Sequence, residues 1–290
     1  MSSASEFALL QRLQPQEAID WLIGRGKLSV SYAWQDVWQS EHGVQFTVSR
    51  MTRLDLLQSI HDTLIKSVQG DLSRRDWMKD AEKLLTDAGW WGFKAVTDPA
   101  DSEIKLTKFD SARLKLIFDT NTRQAYATGL WERVERSKSA MPYVRYITRG
   151  DDRVRPAHQA WDNLTLPVDD AFWKTHWPPN GWRCRCRVMS MTKADYKRGY
   201  SLDRPGAETD ANAPLVRKPL NTVAPPDERR EYVNPRSGEV LQVPVGVDPG
   251  FAYNPGQARQ QALEAQVQGK LKTADPGLAD AARKAGMRKD

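Results

Sequence analysis

The spacing of apolar residues changes at Pro142, and that change constrains the fold more than any other feature. Before it, apolar side chains recur at three- and four-residue steps. In MTRLDLLQSIHDTLIKSV, Met51, Leu54, Leu57, Ile60, Leu64 and Val68 form one stripe, the pattern of an amphipathic helix. A shorter helix is predicted over QPQEAIDWLIG, with Pro15 in its first turn and Gly24 closing it. Ser73, with Asp76 three residues on, marks another start; that helix carries Trp77, Ala81, Leu84 and Leu85 as far as Gly89. A long helix follows from about Ser111 to Lys138, burying Leu114, Ile117, Tyr126, Leu130 and Val134. Trp34, Val37, Trp38 and Phe46 extend the helical reading across 34–50, with Gly43 as its weak point. His42 and His61 lie in this half and read as surface or hydrogen-bonded helix histidines rather than ligands.

Beyond Pro142, alternation replaces the helical period. YVRYI predicts a strand from Tyr143, with a turn at Gly150. WRCRCRVMSM alternates Cys184, Cys186 and Val188 with Arg183, Arg185 and Arg187. As a strand it presents both thiols on one face and three guanidiniums on the other. Residues 199–230 hold Pro205, Pro214, Pro219, Pro225 and Pro226 with few aromatics, an extended linker. REYVNPRSGEVLQVPVG predicts a hairpin over Pro235 to Gly238, and the Ala/Gln-rich piece beyond Pro255 a helix before a fraying end. The expected fold is α+β: a helical domain over 1–140, a small mixed α/β or mostly-β module over 141–198, and a Pro-rich linker and partly ordered tail over 199–290 that orders against a partner.

Composition narrows the functional classes. The mean hydropathy is −0.65, and the C-terminal third carries much of that polarity. Net charge is +6 with a pI near 9.2, which favours polyanions such as nucleic acid or acidic protein surfaces. Between Gly129 and Gly199 there are 14 Lys/Arg against 8 Asp/Glu, the whole of the excess. All eleven tryptophans precede residue 183, predicting an aromatic core or surfaces that bury against a partner. No apolar run of about eighteen residues exists, so no membrane partner is expected. MSSASEFALLQRL lacks a basic segment followed by a long apolar one, so synthesis in the cytoplasm is expected.

The two cysteines of PPNGWRCRCR are the chain's whole supply. At i and i+2 of a strand their Cα atoms stand about 6.5–7 Å apart, the outer limit for a disulfide, so a bond between them is disfavoured. Two thiolates on one face can share a zinc ion, which wants two further ligands. His158 and His176 are the histidines of this module, and Asp151, Asp152, Asp169 and Asp170 are its nearby carboxylates. The candidate metal set is therefore His158, His176, Cys184 and Cys186, with a carboxylate as substitute for one imidazole. The plain alternative is that both thiols are small buried apolar groups beside Val188. Arg183, Arg185 and Arg187 read either as an anion- or nucleic-acid-binding face or as the solvated side of an edge strand. No HExxH, GxSxG, P-loop or zinc-deaminase box is present, and no catalytic residue or organic cofactor is expected.

A composite motif adds to this reading. Arg155-Pro156-x-His158 is followed by Asp169-Asp170-x-Phe172-Trp173, then by Pro178-Pro179-Asn180-Gly181-Trp182-x-Cys184-x-Cys186. This series resembles the signature of the phage Mu F-like minor head proteins, as do SYAWQDVWQSEH, FDTNTRQAYATGLWERV and DPGFAYNPG, over most of residues 15–256. The resemblance implies a non-enzymatic component of head morphogenesis, retained in the head interior of the virion after assembly in the host cytoplasm. It implies association with the portal protein and with a major capsid or scaffold protein, contact with packaged or ejected double-stranded DNA, and metal at His158, Cys184 and Cys186. The alternatives are a metal-dependent nuclease or transferase and a general DNA-binding module.

Overall fold

The computed structural model describes residues 15–203 and 214–284. Pro205, the stretch MSSASEFALLQRL and residues 285–290 lie outside the described residues. The fold is α+β. α1 (Gln16–Gly24) buries Ala18, Ile19, Trp21 and Leu22. β1 (Lys27–Leu28) pairs in parallel with β2 (Gln45–Phe46). α2 (Leu54–Gln69) buries Leu57, Ile60, Leu64 and Val68, and Gly70 ends it in the left-handed region at φ 92°. Ser73 Oγ accepts the Asp76 amide at 3.1 Å and starts α3 (Arg74–Asp87). β3 (Gly92–Thr97) and β4 (Ile104–Phe109) form an antiparallel hairpin that leaves Phe93, Ile104 and Leu106 exposed. Asp110 then caps α4 (Ser111–Ser137), accepting the Arg113 amide at 2.9 Å. α1, α2 and α3 all pack on α4, the spine of the molecule.

Residues 34–50 depart from the helical expectation. Asp36 Oδ2 accepts the amides of Tyr32 (2.6 Å) and Ala33 (2.9 Å), a local side-chain turn that competes with helix bonds. A short 3₁₀ turn (Gln39–Gly43) and β2 complete the stretch. Trp34 and Trp38 pack on each other at 5.5 Å and both on Tyr232, Trp38 stacking on it at 5.7 Å.

The second half is built on a three-stranded antiparallel sheet. Its centre is β5 (Tyr143–Ile147), flanked by β6 (Thr165–Pro167) and β7 (Arg187–Met191). α5 (Pro156–Ala160) and a 3₁₀ turn (Ala171–Lys174) lie in the connections. α6 (Lys193–Arg198) leads to β8 (Tyr200–Asp203), which pairs with β9 (Val216–Pro219). β10 (Arg229–Val233) and β11 (Val240–Pro244) form the hairpin expected around Pro235–Gly238. A 3₁₀ turn (Pro249–Phe251), α7 (Pro255–Thr273) and α8 (Pro276–Lys284) finish the described chain.

The stretch expected as linker and tail differs from that picture from β8 onward. Asp203 takes two bonds from the guanidinium of Arg145, which is 2% exposed, at 2.7 and 3.2 Å. Val243, Val247 and Phe251 enter the same apolar cluster as Val144, Tyr146, Trp161, Trp173 and Trp177. The start of α7 packs on α4, where an added Cβ at Gly256 would sit 2.3 Å from that of Trp131. The indoles of the first 182 residues offer these residues a surface within the chain. Each buried indole removes about 150–250 Å2 from water, worth about 4–6 kcal/mol before ordering entropy.

Candidate metal centre

The strand expected through both cysteines begins only at Arg187. Upstream, Arg183 has φ 61° and Cys184 N donates to Gly181 O at 3.1 Å, so the chain turns there instead of extending. That turn brings both thiols to one imidazole. His158 Nδ1 lies 3.7 Å from Cys184 Sγ and 3.6 Å from Cys186 Sγ. The three donor atoms fall within 4.8 Å of one another, the one such group of three His, Cys, Asp or Glu side chains among the described residues. Both cysteines are free thiols.

The surrounding motif residues hold this arrangement. Pro156 opens α5, whose single turn carries His158 inward, 2% exposed and stacked on Trp161 at 5.0 Å. His158 Nε2 is 2.9 Å from Gly246 O, which places the ring proton on Nε2 and leaves the Nδ1 lone pair facing the sulfurs. Gly246 has φ 94°, and a Cβ there would lie 2.6 Å from Ala157 Cβ and 2.9 Å from the Trp161 ring. A Cβ at Gly181 would sit 2.3 Å from both Arg155 Nη1 and Asp248 Oδ2. With no side chain there, Arg155 Nη2 reaches Asp248 Oδ2 (3.1 Å) and Trp182 O (3.0 Å), while the Trp182 amide donates to Asp248 (2.9 Å). Asn180 is fully buried and accepts the Tyr146 hydroxyl proton at 2.9 Å. Trp173 and Trp177 bond Pro167 O and Ala127 O through their indole nitrogens at 2.9 and 3.0 Å.

The electrostatics favour one shared negative charge on sulfur. Cys184 is pushed down, chiefly because the Cys186 thiol donates to it. Cys186 is pushed up by the same bond and by burial. Tyr146 is pushed up by burial first and then by the charge on the two sulfurs, so it stays a neutral phenol.

The remaining predicted site residues go elsewhere. His176 is outside the group: it stacks on Phe172 at 4.0 Å, its Nδ1 faces Phe172 O and Thr175 Oγ1, and burial holds it down at about 4. Asp151 is held down at about 2 by a two-pronged bond from Arg185 (2.6 and 2.5 Å). Asp169 pairs with Lys138, and Asp170 Oδ1 accepts the Phe172 amide at 2.9 Å. The three arginines do not share a strand face. Arg183 is exposed on the turn, whereas Arg185 and Arg187 line a cleft of about 460 Å3 together with Arg123, Arg149 and Cys186. Arg123 also donates to Cys184 O at 2.7 Å. Arg123, Arg149 and Gly246 carry no local sequence signal, because only the tertiary fold brings them to residues 155–187.

Residues 58–189 match the model of the family described as Phage Mu protein F like protein. The chain is 30% identical over 253 residues to the F protein of Escherichia phage Mu, whose name assigns it to capsid assembly; the match covers 87% of this chain and 56% of that protein. It is 28% identical over 232 residues to the Mu-like prophage FluMu F protein of Haemophilus influenzae, covering 80% of this chain and 54% of that one. The chain thus spans about half the length of the curated relatives it matches. No solved structure matches it. Among the described residues, no helix is long and apolar enough to cross a membrane.

Proposed function

We propose that this protein is a minor head component of a tailed phage, non-enzymatic, working in head assembly from the virion interior. The observation that carries this is the similarity to the phage Mu F protein along 87% of the chain, together with the intact motif frame around His158. Its partners on this reading are the portal protein and a major capsid or scaffold protein, with double-stranded DNA meeting the arginine cleft. Four guanidiniums line that cleft, and among the described residues no carboxylate or imidazole does. The cleft therefore offers cations to a phosphate backbone, Arg185 only in part because Asp151 holds it by two bonds.

The donor set supplies three of the four ligands that zinc takes, and the fourth position falls to water or another group. In a tetrahedral site with Zn–S near 2.3 Å and Zn–N near 2.05 Å, a sulfur and a nitrogen ligand stand about 3.6 Å apart. The two Nδ1–Sγ distances are 3.6 and 3.7 Å. His158, Cys184 and Cys186 would hold the ion, which would supply a cross-link between α5 and the turn before β7. The test is co-expression with the portal, scaffold and major capsid proteins of the same phage, followed by isolation of heads. The protein should sediment with them in a few copies per head. Its exclusion from heads that otherwise assemble would overturn the assignment.

A further inference from the structure

A second site lies away from the thiols, between the N-terminal layer and the segment after β11. It is a cavity of about 620 Å3, within the range of small-molecule pockets. Arg25, Arg50 and Arg113 line it, and no Asp or Glu does so among the described residues. None of the three forms an ion pair among the described residues. Arg25 is 3% exposed and gives Nε to Gln45 O and Nη1 to Asn121 Oδ1, both at 2.9 Å. Its guanidinium lies over Trp21 at 4.5 Å, a ring face that softens but does not neutralise the charge. Arg113 lies over Phe109 at 4.6 Å, bonds Ser49 O, and leaves a buried Nε without a hydrogen-bond partner. Asp110, the one acid acting on Arg113, is engaged in capping α4 and pairs with Lys108 at 3.4 Å.

Cations taken out of water without a counter-charge are costly, and here burial pulls Arg25 down to about 10 while burial and the charge of Arg50 pull Arg113 down. His42, in the same wall, is held neutral by burial at about 3. Two further buried polar atoms lack a partner among the lining residues: Gln124 Oε1, on a side chain 8% exposed, and Trp21 Nε1. The indole of Trp34 lines the cavity, while Trp21 is 2% exposed with the Arg25 guanidinium over its ring. Arg50 gives Nε to Tyr32 O at 3.1 Å and Nη1 to Leu106 O at 3.4 Å, and its charge acts on Arg113, so these two guanidiniums together suit a dianion better than a single carboxylate.

We propose that this cavity binds a small phosphate-bearing molecule with a flat ring system, the chemistry of a nucleoside monophosphate, with Arg50 and Arg113 facing the phosphate and Trp34 and Gln124 facing the ring. The site is independent of the head-assembly reading.

The test is a fluorescence titration of the full chain, since Trp21, Trp34 and Trp182 all line the cavity. Adenosine monophosphate should change the emission with saturable binding, and adenosine and inorganic phosphate should each bind at least about tenfold more weakly. Arg50→Gln, on a half-buried side chain, should weaken the monophosphate about tenfold at unchanged Tm, and Arg113→Gln should do the same or more. If Arg113→Gln does not fold, Arg50→Gln alone carries the comparison. Absence of binding up to millimolar monophosphate, equal binding by inorganic phosphate, or unchanged affinity in the Arg50 variant would each overturn the proposal.

Discussion

The helical half and the sheet half are held together by opposite means. In α2 and α3 the helix ends are set locally, Ser73 bonding Asp76 and Gly70 terminating its own helix, and the stripe of Leu57, Ile60 and Leu64 then packs on Phe109 and Phe118. Around His158 every feature joins distant segments. Gly246 receives the imidazole from 88 residues away, Asp248 closes over Gly181, and Trp177 reaches back to Ala127. Local bonds make a helix tolerant of single losses. A non-local frame fails as a unit, because each of its groups loses its partner when one segment moves.

The largest expected effect lies at the thiol cluster. Replacing Cys184 and Cys186 together with Ser, or stripping metal with a chelator, should lower Tm by about 10 °C or more, a loss of roughly 3–5 kcal/mol. The same treatment should leave the helical half's circular dichroism in place. A uniform loss of helix would break the contrast.

Next comes a glycine pair that sharpens it. Gly246→Ala places a Cβ against Ala157 and Trp161 at φ 94° and should cost about 3 kcal/mol in urea unfolding. Gly89→Ala, at φ 68° with open space around it, should cost about 1 kcal/mol.

Acid should act on the same half. His176 has a folded pKa near 4, below the usual 6.5, so the unfolded chain takes up the proton first as pH falls. Its contribution is present above about pH 6.5 and lost progressively toward pH 4, roughly 2 kcal/mol by about pH 5. His176→Phe should flatten that part of the stability profile measured by denaturant titration. Smallest is Ser73→Ala, which should cost about 1 kcal/mol and leave metal content unchanged.

The same division explains what could be read beforehand. The periods of α1 to α4, the Ser73 cap and the YVRYI strand are local signals and each element stands where its spacing placed it, although Leu54 and Tyr126, read as part of the buried faces, are exposed. The β3–β4 hairpin went unread because its apolar side chains Phe93, Ile104 and Leu106 face out, giving no buried stripe to detect. The alternation of Cys184 to Arg187 suggested a strand, but the turn at Gly181 and Arg183 uses those residues to reach His158. His176 looked equivalent to His158 in sequence; only the stacking of its ring on Phe172 separates them. The arginine cavity was invisible for the same reason, since Arg25, Arg50 and Arg113 come from three separate segments.

The central claim is that His158, Cys184 and Cys186 form one zinc-bound clip. The most direct test is zinc content per chain, by elemental mass spectrometry on protein purified without a histidine tag. About one equivalent is expected, lost in Cys184→Ser/Cys186→Ser and in His158→Ala, and retained in His176→Phe. Metal-free protein that folds with full stability, or zinc that persists without the two cysteines, would contradict the claim.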